Sequence, residues 1–152
     1  MKNKFFDVSN EFIIPEVIEE NTTLTNAHPY VVTQDLLIPS NILLTIQEGV
    51  ELRMFQGSNI HVEGQLLING TEENPIQIIA HNSIENNRWG AICFTNALDT
   101  SYISHTKISG ASTGIDPSVH HGAISSINSH IVISHIEIEE VLFPVYVEGG
   151  SI

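Results

Sequence analysis

Two stretches of this chain follow one plan. Gly90 to Ser109 reads GAICFTNALDTSYISHTKIS, and Gly122 to Glu139 reads GAISSINSHIVISHIEIE. Each opens on Gly-Ala-Ile, passes through small polar residues, and reaches Ile-Ser-His followed by a second strand-like run. Gly90 and Gly122 are 32 residues apart, whereas Ile103 and Ile133 are 30 apart, so a loop two residues shorter reconciles them. Self-similarity at such a period is the mark of a solenoid, in which each repeat is a coil that buries its apolar side only against its neighbours.

Residue usage agrees. Ile and Val total 34 residues, against 10 Leu and 6 Ala. Branched side chains are stiff and suit a pleated surface better than a helix. Short alternating runs recur: ILLTI, GVELRM, NIHVEG, QLLI, PIQIIA, AICF, IVISHIEI and PVYVEG, separated by Gly, Asn, Ser or Thr. This is an all-β pattern with no credible helix after residue 20. In IVISHIEI the period of two predicts Ile131 and Ile133 inward, a bend at Ser134-His135, and Ile136 and Ile138 inward again on the next face. The equivalent inward positions one coil earlier are Ser101, Ile103, Thr106 and Ile108.

These residues carry a resemblance. The segment YVVTQDLLIPSNILLTIQEGVELRM (Tyr30 to Met54), with Gly64, Gly70-Thr71, Asn74-Pro75-Ile76 and WGAICF, is similar to β-helix modules of bacterial modular surface proteins, some of them beside spore-coat-H-type kinase domains. More broadly the chain resembles the right-handed parallel β-helix, or pectate-lyase-like, superfamily. The resemblance covers about residues 28 to 150, and Trp89 and Gly90 lie one residue closer than in the usual motif. It implies a right-handed parallel β-helix of about five to six coils. Residues 1–27, with the apolar FFDVSNEFIIPEVI, are expected to cap it, and residues 28–152 to form the coils. No C-terminal cap is visible at VEGGSI, so the last coil is expected to be truncated, or covered by another copy or another domain.

Charge narrows the functions. The chain carries a formal net charge of -13, with Lys2, Lys4, Arg53, Arg88 and Lys107 as its basic residues. A nucleic-acid partner needs cations to displace phosphate counterions, so nucleic acid is not expected. No apolar run is long enough to span a bilayer, so membrane insertion is not expected either. MKNKFFDVSN lacks the apolar stretch of a signal peptide. The resemblance implies an extracellular or cell-surface location as part of a larger protein. The single cysteine, Cys93, lies among apolar residues and reads as a buried thiol.

Candidate chemistry is sparse. The four aspartates, Asp7, Asp35, Asp99 and Asp116, form no pair, whereas glycosidases of the resembled fold act through clustered carboxylates. The HHG at His120 to Gly122 is similar to a His-Gly motif of some polygalacturonases but lacks its aspartate and Arg-x-Lys partners. No catalytic residue and no cofactor is expected. Trp89, with His81 and Arg88 in the preceding loop, is the candidate carbohydrate contact; the competing reading makes Trp89 a bend cover whose N–H bonds to backbone. His105 and His135 fall one coil apart, about 4.8 Å, and are the candidate metal ligands, with His120, His121 or His130 as further donors. The competing reading is a surface ladder of like residues. The expected role is a non-catalytic structural or ligand-presenting module. The alternatives are a fragment of a polysaccharide lyase or glycoside hydrolase whose active site lies outside this chain, and a module that self-associates or meets a neighbouring domain through its C-terminal edge.

Overall fold

The computed structural model describes residues 10–82 and 87–152. They form thirteen strands and, among the described residues, no helix. All the strand pairings are parallel. Among the described residues no hairpin contributes, because each of these strands pairs with its counterpart one coil away. The chain is an all-β parallel solenoid.

Three faces repeat in order. The first is built from β2 (Thr22–Leu24), β5 (Leu43–Gln47), β8 (Gln65–Asn69), the front half of β11 (Ser101–Ser109) and the middle of β12 (Ile124–Glu139). The second holds β1 (Phe12–Ile13), β3 (Tyr30–Val32), β6 (Glu51–Met54), β9 (Ile76–Ala80) and the rear parts of β11 and β12. The third holds β4 (Leu36–Ile38), β7 (Ile60–Val62), β10 (Ile92–Thr95), the start of β12 and β13 (Val145–Ser151).

In-register stacking turns the period of two into columns. Leu24, Ile46, Ile68, Ile103 and Ile133 form one on the first face. Tyr30, Leu52, Ile78, Ile108 and Ile138 form one on the second. Leu36, Ile60, Ile92, Ile124 and Val145 form one on the third. Ile46, Leu52, Ile60, Ile68, Ile78, Ile92, Ile103, Ile108 and Ile124 are fully buried. Each such side chain contributes about 1.5–3 kcal/mol of transfer free energy, which is what orders a fold with few local contacts. The register expected from the repeat is the one observed: Ser101, Ile103, Thr106 and Ile108 lie opposite Ile131, Ile133, Ile136 and Ile138.

The corners explain why so little chain turns them. His105 (φ 46) and His135 (φ 52) turn the first face into the second, each as one left-handed residue. Asn96 (φ 50) and Asn128 (φ 48) begin the turn from third to first, and their side-chain amides bond at 3.3 Å. Gly110 (φ 75) and Glu140 (φ 54) leave the second face. Left-handed backbone is cheap for glycine and tolerable for Asn and His. The long connections, 81–91 and 110–123, leave from this last corner.

Residues 10–27 join the parallel pairing of the coils. Phe12 and Ile13 pair with Tyr30 and Val31, Val17 bridges Leu37, and β2 pairs with β5, all in parallel. Within the described residues the segment expected to cap the coils pairs with them in the same strand direction. Residues 1–9 lie outside the described residues.

Candidate functional site

Three polar clusters sit on this scaffold. The first is the His105–His135 ladder. Both rings leave left-handed residues at equivalent corners, so they project in the same direction and stack, centroids 4.4 Å apart and planes within 4°. They border an open groove of about 480 Å³ lined by Thr71, Glu72, Pro75, Lys107 and Glu137. His105 Nδ1 is buried without a hydrogen-bond partner. Parallel stacking bears directly on a shared metal. Imidazole lone pairs lie in the ring plane, so two parallel rings aim them side by side, and a tetrahedral ion needs donors that converge at about 2.0–2.1 Å. His130 bonds Ser151 Oγ instead, at 2.7 Å, and His120 and His121 belong to the third-face loop. Among the described residues no group of three or more His, Cys, Asp or Glu could hold a metal ion. In this geometry His105 and His135 form a stacked ladder.

The second cluster holds the residues expected to meet carbohydrate. Trp89 is fully buried. Its Nε1–H donates to the Ser109 carbonyl at 2.7 Å and its backbone bridges Ala111, so the indole plugs the corner between second and third faces. No indole face is left at the surface for a sugar ring to stack on. Gly90 follows because Asn59 occupies the space beside it: a Cβ there would lie 1.8 Å from Asn59 Oδ1. Asn59 is fixed by Asp35, which accepts from both its backbone N–H and its amide at 2.9 Å, and in turn accepts from Ala91 N–H at 2.9 Å. Arg88 donates to the carbonyls of Ala111 and Glu140, tying two coils together. His81 points elsewhere. It lies 3.3 Å from a Glu11 carboxylate oxygen and packs on Phe55. Arg53 bonds Glu11 at 2.5 Å and Glu51 at 2.6 Å, and that guanidinium foremost holds the Glu11 carboxyl below its usual range. The structure therefore does not assemble Trp89, His81 and Arg88 into one surface.

The third cluster escaped the sequence reading. Stacking on the third face aligns Leu37, His61, Cys93, Ser125 and Tyr146 outward. The 110–123 connection folds back across this column. Gly114 packs against the Cys93 sulfur and His120, so closely that a Cβ would lie 2.3 Å from Sγ. Burial pushes the Cys93 thiol up to about 12. His120 is itself buried, with Nδ1 accepting from Asp116 N–H at 2.9 Å and Nε2 facing Thr95 Oγ1 at 3.4 Å. One signal points to part of the cluster: the 32-residue offset that links Ile92 to Ile124 also links Ile60 to Ile92, which sets His61 beside Cys93.

No protein-family model, curated protein or solved structure matches this chain in comparison. No helix among the described residues is long and apolar enough to cross a membrane.

Proposed function

We propose that this chain is a non-catalytic structural module, a pectate-lyase-like β-helix within a larger bacterial surface or secreted protein, and that its final coil docks a further layer of parallel β-structure. One observation carries the reading. The inward residues of the last coil, Ile133, Ile136 and Ile138, are partly exposed, although their partners Ile103, Thr106 and Ile108 one coil earlier are buried. Beside them Leu142 is 62% and Phe143 61% exposed. The same coil offers an open strand edge, and edges with exposed apolar columns are templates for added strands. The occupant that fits is a coil with the same three-faced cross-section, from a second copy or an adjoining domain.

Sedimentation of this chain over a wide concentration range tests the proposal. The expected result is reversible self-association that Ile136→Lys and Ile138→Lys together abolish, with the far-UV spectrum preserved. A strictly monomeric wild-type chain that also fails to pull down solenoid coils appended as a separate polypeptide overturns it. A second reading, carbohydrate or other ligand presentation, rests on the groove beside His105 and His135. Calorimetric binding of an oligosaccharide panel, lost in His135→Ala but kept in Ile138→Lys, would favour that reading.

A further inference from the structure

The third face carries a device that the module's structural role does not require. Residues 114–120 form a small closed loop over the outward column. His120 organises it: Gly114 N–H donates to the His120 carbonyl at 2.9 Å, His120 N–H to the Asp116 carbonyl at 2.7 Å, and Asp116 N–H to His120 Nδ1 at 2.9 Å. Because Nδ1 accepts a backbone N–H, the ring proton must sit on Nε2, toward Thr95 Oγ1. The neutral Nε2–H tautomer is therefore the one the loop is built around. A proton added at Nδ1 would set two donors face to face and place a charge in a buried site.

We infer that His120 is an acid-released latch that holds the 114–120 loop over the Cys93 thiol, and that protonation of His120 uncovers this thiol while the solenoid stays folded. Several groups surround it. His61 reaches from β7, and Cys93 and Thr95 from β10. Asp116 belongs to the loop itself, His121 follows it directly, and Tyr146 on β13 packs edge-on against His121. The Asp116 carboxylate accepts from Ser118 Oγ and N–H and does not bond the ring.

The direction of titration agrees. Burial first, then the neighbouring His61, lowers His120 below its ordinary 6.5. The closed loop thus binds fewer protons than the open one. The latch has full strength above 6.5, weakens as pH falls below that, and reaches its weakest once the lowered value is passed. Gly114 is the second part of the device. Only a residue without Cβ lets the loop close on the sulfur and on His120 Cβ, which a side chain would approach within 2.3 and 2.5 Å.

Thiol reactivity toward 4,4′-dithiodipyridine, followed from about pH 8 to about pH 5, reads the latch. The Cys93 thiolate attacks the probe disulfide, forms a mixed disulfide and releases one 4-thiopyridone. With ordinary thiols the rate does not climb steeply on acidification, since the thiolate is the nucleophile. The expected result for the wild-type chain is a rate that, divided at each pH by that of a small reference thiol, rises about tenfold between pH 6.5 and about pH 5, with Trp89 emission and the far-UV spectrum unchanged. His120→Gln, neutral at every pH, should remove the rise. Gly114→Ala should react fast already at neutral pH. His61→Gln should keep the rise. A wild-type profile that is flat or falling after division by the reference thiol overturns the inference. So does an acid rise that persists in His120→Gln, one that His61→Gln alone removes, or one that coincides with a shift in Trp89 emission.

Discussion

The fourth and fifth coils, Ser101–Ser109 and Ile131–Glu139, are nearly the same object. They align residue for residue at an offset of 30, bend at a histidine in the same left-handed conformation, and point aliphatic side chains along the same columns. They differ in what lies beyond them. Ile103 and Ile108 have a coil on each side and are fully buried; Ile133 and Ile138 have one. Identical local sequence patterns therefore have unequal energetic weight, because in a solenoid burial is a property of neighbours and not of the strand.

Substitution can break that comparison. Ile103→Ala should cost about 2–5 kcal/mol in denaturant unfolding, through lost transfer free energy plus a cavity. Ile133→Ala, open on one side, should cost at most about half as much. Equal losses would mean that the last coil is covered in solution, and dilution should then separate them. Gly90→Ala comes next. It forces Asn59 off its Ala91 N–H and its place beside Asp35, at a cost of about 1–3 kcal/mol.

The corners sharpen the same contrast with smaller effects of opposite sign. Gly110 and Glu140 occupy equivalent positions at φ 75 and 54. Gly110→Ala should destabilise by about 1 kcal/mol and Glu140→Gly should stabilise by up to about the same amount, read from thermal unfolding. The smallest effect belongs to the Glu11–Arg53 pair that ties the first partial coil down. Glu11→Gln should cost less than about 1 kcal/mol, since solvent screens the pair. The Glu11 carboxyl is held below its ordinary 4.5, so its contribution is present above that pH and lost as pH falls through the lowered value. Stability of Glu11→Gln should accordingly vary less with pH over the acid range.

Fold was legible where coils have equal length. From Gly90 onward the offsets are 32 and 30, and the alignment of Ile103 with Ile133 could be read directly. Earlier coils vary: Leu43 pairs with Gln65, but Leu67 pairs with Tyr102. Insertions such as 81–91 shift the offset, so no fixed period shows that Phe12 and Ile13 already belong to a coil. The candidate site was less legible for a different reason. Sequence shows that Trp89 stands at a strand entrance, but whether it faces solvent or plugs a corner depends on Ser109 and Ala111, twenty residues on. His105 and His135 were rightly placed one coil apart, yet their ring planes follow from backbone φ, which residue identity does not fix. The Cys93–His120 contact needs the fold-back of a loop whose path no periodicity encodes.

One residue is enough to round the corner at His105 or His135, and the two longest connections leave from another corner, the one that Gly110 and Glu140 open. The molecule thus resembles a prism with one ornamented edge. Peptide grafted into that edge should leave the winding of the shaft untouched. The same graft at the histidine corner would throw adjoining coils out of step, so the ornamented edge is where an engineer should hang new cargo.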